Sequence, residues 1–311
     1  MLITGSQVLT LGTTENTGSA GNFWYNTATN QLNYTYLGLV IAGTSWTLGG
    51  NLNNGRRGLG GIGTKNAALA VGGYCPSNSE CTEEYNGISW TVASNLTQYT
   101  SNMATAGTQN AGLVAGGTGG CNCTQEYDGS SWTGGGNLNI SNNYFAGAGT
   151  QNAAVAFGGN NGPACTEEYD GSVWTAGSAL ITGRCAPSGA GTQNAALAFG
   201  GYDAGYKSCT EEYDGTSWSS GGAMIIAKFR AGGAGTQNAA LSFGGYGGNT
   251  STQTYDGSAW SSANNLLTGT QRLGSAGIQS AALAIGGYPG YQCNTQEFLS
   301  PFVVQVCCLV P

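Results

Sequence analysis

The sequence predicts an all-β fold, a six-bladed β-propeller of four-stranded antiparallel blades, and three observations predict it. A phrase seen intact as Gly191-Thr192-Gln193-Asn194-Ala195-Ala196-Leu197-Ala198-Phe199-Gly200-Gly201 recurs six times. Its opening glycine falls at Gly63, Gly107, Gly149, Gly191, Gly235 and Gly277, so the repeat is 42 or 44 residues long. Each copy holds four short strand signals separated by turn residues, with no long helical periodicity. Four strands in a unit of roughly 40–50 residues is the arithmetic of a propeller blade.

The first strand of each unit is a run of small residues, such as Ala231-Gly232-Gly233-Ala234 or Gly147-Ala148-Gly149. Inner strands of all blades converge on one axis, where side chains must be short for a ring of few blades to close. Ile62 is the one larger residue in this run. The second strand is apolar, as in Ala239-Ala240-Leu241-Ser242-Phe243, and stops at a Gly-Gly pair opening at Gly72, Gly116, Gly158, Gly200, Gly244 or Gly286. The third reads Thr210-Glu211-Glu212-Tyr213, with its aromatic at Tyr85, Tyr127, Tyr169, Tyr213, Tyr255 and, in the last copy, Phe298. An Asp-Gly or Asn-Gly pair then turns the chain, a strong hairpin signal because both positions tolerate positive φ. The fourth strand starts near Trp90, Trp132, Trp174, Trp218 or Trp260. These rings are expected in the wedge-shaped gaps between blades, where burying each contributes roughly 2–3 kcal/mol.

Counting predicts how the ring closes. Trp46 has no Gly-Gly before it, and Gly286-Gly287 has no tryptophan after it. The strand around Trp46 is therefore expected to complete the blade begun by residues 270–298, removing a free sheet edge. A seventh blade would require residues 20–46 to form a degenerate one. The expected organisation is an N-terminal attachment segment, 1–37, with a short aromatic hairpin, then a propeller over 38–311 whose last residues, 299–311, form a tail.

Composition excludes several functions. Among 311 residues there is no histidine, which removes histidine metal sites, histidine-based triads and histidine proton shuttles. Only 8 residues are basic against 15 acidic, a net charge of −7, which argues against nucleic acid and anionic membrane as partners. No run approaches the ~20 apolar residues of a membrane-spanning helix, and no signal peptide is recognised at the start. A 40 % hydrophobic content with 31 aromatic residues (7 Trp, 16 Tyr, 8 Phe) is enough for a large core.

Gly-Gly, then tyrosine, then tryptophan five residues later, with arginine in the following connection, resembles the kelch repeat over residues 40–298. The chain departs from kelch in its very short units and its Gly/Ala first strands. Phrases such as Glu211-Glu212-Tyr213-Asp214-Gly215-Thr216-Ser217-Trp218 are similar to those of kelch-like structural proteins of marine bacteriophages. The segment Gly21 to Tyr34 resembles a hairpin of phage tail and fibre proteins. The resemblance implies a non-enzymatic virion structural or adhesion protein, a tail, fibre or capsid-surface component at the virion surface or outside the cell. Its partners would be other virion proteins and host-surface glycans, within a larger assembly and with no cofactor. The alternatives are a secreted or cell-surface lectin-like propeller and, third, a sialidase-like glycosidase. Kelch-type copper radical oxidases need histidine ligands, so that activity does not transfer.

The residues offer few groups for chemistry. Arg56, Arg57, Arg184, Arg230 and Arg272 precede the repeat glycines, as one structural position seen repeatedly, and Arg184, Arg230 and Arg272 form a candidate anion site. Glu83-Glu84, Glu167-Glu168 and Glu211-Glu212 recur blade after blade and are expected on the rim rather than in acid–base catalysis. Asp128, Asp170, Asp214 and Asp256 are expected to form turns. Eight cysteines (Cys75, Cys81, Cys121, Cys123, Cys165, Cys185, Cys209, Cys293) belong to loops of one face, and Cys307 and Cys308 lie near the end. Disulfides are expected among them, Cys75 with Cys81 and Cys185 with Cys165 or Cys209, with buried free thiols as the alternative.

Overall fold

The structure, a computed structural model, describes residues 23–26, 31–34, 45–118, 121–161 and 163–300. Contacts divide the chain into Thr44–Ser300 and a second unit made of the two chain ends. In the second unit Phe23–Asn26 pairs antiparallel with Gln31–Tyr34, setting Phe23 opposite Tyr34, as the aromatic pattern predicts. The rest of the expected attachment segment and the tail after residue 300 lie outside the described residues.

The larger unit is a six-bladed propeller. Its first blade runs Gly60–Thr64, Ala67–Val71, Thr82–Tyr85 and Trp90–Ala93, each strand antiparallel to the next. Four more blades follow over 104–134, 146–176, 188–220 and 232–263. The sixth takes Gly274–Ile278, Ala281–Gly287 and Gln292–Leu299 from the end of the chain and Ser45–Leu48 from its beginning. Phe298 pairs with Trp46, so the N-terminal strand closes the ring as the count predicts.

The inner strands explain their small residues. Gly61, Thr105, Gly147, Gly189, Gly233 and Ser275 line the axial channel. A Cβ on Gly61 would sit 2.4 Å from the backbone nitrogen of Ser275, and one on Gly233 would sit 2.5 Å from the Gly189 carbonyl oxygen. Ile62 is not an exception at the axis. It points between blades, buried with Leu69, Val114 and Trp132, and Gly112 stands opposite where the other blades have alanine. A Cβ on Gly112 would fall 3.0 Å from Leu69 Cδ1 and 3.3 Å from Ile62 Cδ1.

Six apolar clusters fill the six gaps between blades, each joining second-strand residues of one blade to the aromatic pair of the next. The polar ends of those rings are satisfied across the same gaps, which a buried Trp N–H or Tyr O–H requires. Every repeat tryptophan donates its indole N–H to the threonine that stands three residues before the aromatic in the third strand of the preceding blade. The pairs are Trp132 to Thr82, Trp174 to Thr124, Trp218 to Thr166, Trp260 to Thr210, Trp46 to Thr252 and Trp90 to Thr295, at 2.8 to 3.0 Å. The glutamine of Gly-Thr-Gln-Asn also reaches back one blade. Gln193, for example, donates to the carbonyls of Ala154 and Tyr169.

The paired carboxylates are structural, and their expected rim placement is corrected in part. The first of each pair is buried: Glu83, Glu167 and Glu211 accept backbone N–H groups of the preceding connection, Glu167 from Asn139 and Ile140. The buried carboxylate thus fastens the preceding connection to the blade through its backbone N–H groups. The second, half-buried, accepts the tyrosine hydroxyl of the next blade. Asp128 shows why the turn aspartates recur: its carboxylate accepts the Ser130 hydroxyl and the backbone N–H groups of Ser131 and Ser130, which together lower its pKa to about 2.

Candidate functional site at the axial mouth

Second-to-third-strand loops and fourth-to-first-strand connections share one face of the propeller, and at its centre the six connections meet. Five residues before each repeat glycine stands a residue with left-handed backbone: Gly58, Asn102, Tyr144, Ala186, Arg230 and Arg272, φ 47° to 63°. Each donates its N–H to the carbonyl of its counterpart one blade back, at 2.6 to 3.3 Å, and Gly58 closes the circle by donating to Arg272. A ring of six backbone hydrogen bonds therefore encircles the axis. The Gly-Gly pairs hold the connections in place. The second glycine donates to a carbonyl of the following connection, as Gly117 does to Asn142, and a Cβ on the first would press on that carbonyl, 2.8 Å away at Gly116.

Arginines occupy three different positions in these connections, not one. Arg56 and Arg184 sit seven residues before the repeat glycine and are fully buried. Arg56 pairs with Glu83 at 2.6 Å and Arg184 with Glu211. Arg184 is thus removed from the expected anion site, because its charge is consumed by a buried carboxylate. Arg230 and Arg272 are on the ring itself, and Arg57, one residue before Gly58, takes the third place. Arg57, Arg230 and Arg272 line one open cleft of about 580 Å³ with Tyr246, Gln271 and Tyr288. Arg57 and Arg272 also line a smaller neighbouring cleft of about 250 Å³ with Tyr74, Asn102 and Tyr144.

The electrostatics of this mouth are unbalanced. Among the described residues, carboxylates pair with Arg56, Lys65, Arg184 and Lys207, and none pairs with Arg57, Arg230 or Arg272. The three guanidiniums lie against aromatic faces instead. Arg57 is 5.2 to 5.4 Å from the rings of Tyr74, Tyr288 and Tyr291; Arg230 is 4.5 Å from Phe229 and 5.1 Å from Tyr144; Arg272 is 5.6 Å from Tyr144. Burial, and then the neighbouring charge of Arg272, lower the Arg230 pKa, and its buried Nε has no acceptor. It remains a cation all the same. Holding an arginine in left-handed backbone costs about 1–2 kcal/mol, so two such residues side by side concentrate strain and repulsion at one place.

Sequence reasoning left Arg57 out of the anion site and missed the tyrosines. The signal was present: tyrosine follows Gly-Gly at Tyr74, Tyr202, Tyr246 and Tyr288. The cysteine pairing also differs from expectation. Among the described residues Cys75, Cys81, Cys165, Cys185 and Cys209 are free thiols, as is Cys293, and a disulfide joins Cys121 to Cys123. The phased cysteines of the first four blades each offer a backbone carbonyl to the first glycine of the Gly-Gly pair, as Cys165 does to Gly158, and Ser251 does the same for Gly244, so the bond does not require a thiol. No group of three or more potential metal ligands occurs among the described residues. No known family model matches the chain, and no curated protein matches it either.

Proposed function

We propose that the protein is a non-enzymatic adhesion module whose propeller presents the axial mouth to an acidic glycan. The observation that carries this reading is the convergence of Arg57, Arg230 and Arg272, without a carboxylate partner among the described residues, in a chain of net charge −7. Planar guanidiniums match carboxylates in two-pronged hydrogen bonds. The cleft lining supplies arginine, tyrosine and glutamine but no carboxylate to protonate a leaving group, which favours binding over hydrolysis.

The repeat phrases resembling kelch-like phage proteins support a place on a virus particle, with the N-terminal segment attaching the propeller to other virion proteins. A secreted lectin-like propeller is the second reading, supported by the same mouth. Incubating the full chain with a printed array of acidic and neutral glycans tests the binding claim. Acidic glycans alone should retain it, and uniform silence would refute it. Mass spectrometry of density-purified particles tests the location: the chain should band with intact virions, and its absence from them would leave the secreted reading.

A further inference from the structure

Beside the arginine cleft lies a shelf of three exposed tyrosine rings packed over Phe229. Tyr202 and Tyr206 come from one second-to-third-strand loop, Tyr246 from the next, and Phe229 from the connection between them. Tyr206 stacks nearly parallel on Phe229, 16° and 5.7 Å apart, and Tyr246 lies 5.1 Å from Phe229 and 5.7 Å from Tyr206. Tyr202 completes the group at 5.5 Å from Phe229. Phe229 is buried, but the three tyrosines are 41 to 51 % exposed. They differ in this from the repeat tyrosines, which are buried between blades. The shelf and the cleft are continuous: Tyr246 lines the cleft, and Phe229 lies under the Arg230 guanidinium.

Rings of this kind, apolar on their faces and polar at their tips, offer stacking area at little conformational cost. The C–H faces of a neutral hexose suit them, whereas a lone inorganic anion has no use for them. We propose that the mouth binds an oligosaccharide rather than a single sugar, with its carboxylated residue held by Arg57, Arg230 and Arg272 and an adjoining neutral hexose stacked on the Tyr206–Tyr246 shelf. This rests on the acidic-glycan reading above and adds to it a second subsite and a minimum ligand length.

Titration calorimetry of the full chain separates the two ideas. The probes are methyl glycosides of glucuronic and sialic acid, trisaccharides in which the same acids cap two neutral hexoses, and those trisaccharides with the carboxylate reduced to an alcohol. The acidic trisaccharide should bind at least about tenfold more tightly than its methyl glycoside. Tyr206→Ala should erase that advantage and leave methyl glycoside binding unchanged. Arg272→Ala should weaken both acidic probes at least about tenfold, with both variants checked for unchanged thermal unfolding. Equal binding of monosaccharide and trisaccharide, or a trisaccharide indifferent to Tyr206→Ala, overturns the shelf and leaves the arginine reading standing. Undiminished binding of the reduced trisaccharide overturns the assignment of the carboxylate. Silence of every acidic probe overturns both.

Discussion

The Tyr127 hydroxyl donates a hydrogen bond of 2.7 Å to Glu84, across the gap between two blades. The same bond links Tyr169 to Glu126, Tyr213 to Glu168, Tyr255 to Glu212 and Tyr85 to Glu297. At the sixth gap the tyrosine is Phe298, and the position of the acceptor is Thr254. Donor and acceptor have been lost together, so neither is left unpaired.

This pairing predicts a coupled pair of substitutions. Tyr127→Phe alone should cost about 0.5–1.5 kcal/mol, because Glu84 keeps its desolvation without its donor. Adding Glu84→Thr, which copies the sixth gap, should recover part of that loss. Urea unfolding of the four proteins gives the coupling directly; strictly additive effects would show that the bond contributes nothing.

The phenols of these bonds also set an alkaline limit. Burial, and then the neighbouring glutamates, push Tyr85, Tyr169 and Tyr255 up to about 12 and raise Tyr127 and Tyr213 as well. A tyrosine titrating near 10 when unfolded loses its proton more readily there than in the fold. Stability from this source is complete below pH 10 and falls as pH rises through about 12.

Lys228 works in the opposite direction at lower pH. It occupies the position of Arg56 and Arg184, but the facing third-strand residue is Gln253 where they meet Glu83 and Glu211. Its ammonium is buried against the carbonyls of Ser242 and Ser251, and burial lowers its pKa to about 7. Between about pH 7 and the ordinary lysine value the unfolded chain binds the extra proton, so stability should rise with pH across that window, by a few kcal/mol at most. Unfolding free energies of the native chain and Lys228→Met at pH 6.5, 8 and 9.5 check this. The native curve should climb toward the variant's, and parallel curves would contradict it.

The buried ion pairs separate stability from binding. Arg184→Ala should destabilise the chain by about 3–5 kcal/mol by stranding Glu211, while leaving any ligand of the mouth bound with its native affinity once folded. A loss of affinity equal to that of Arg272→Ala would return Arg184 to the site. At the axis, Gly61→Ala should be among the most damaging single-methyl additions, since backbone atoms stand 2.4 to 2.8 Å from the new carbon. Gly134→Ala, with nothing within 4 Å, is its harmless control, and thermal melts of the two read the difference.

Much of the fold is written in the chain because each blade must satisfy the same neighbours. Trp46 without a Gly-Gly and Gly286-Gly287 without a tryptophan were two halves of one blade, and pairing of Trp46 with Phe298 joins them. The mouth was less legible for a physical reason. Its ring is held by backbone N–H and C=O groups, so Gly58, Asn102, Tyr144, Ala186, Arg230 and Arg272 share a conformation without sharing a side chain. No residue type marks the position. Arginines one and two residues apart in the connection, such as Arg56 and Arg57, look equivalent in sequence and point to opposite fates, one into a buried carboxylate and the other into the open cleft.

Closure of the six blades by the N-terminal strand underlies the mouth, since the connection carrying Arg57 leads directly from that strand into the first blade. Native-state hydrogen exchange tests it most directly. The paired amides of Ser45–Leu48 should exchange only as slowly as those of Gln292–Leu299, through global unfolding. Exchange of Ser45–Leu48 on the timescale of free loops, with the rest of the sixth blade protected, would contradict the account.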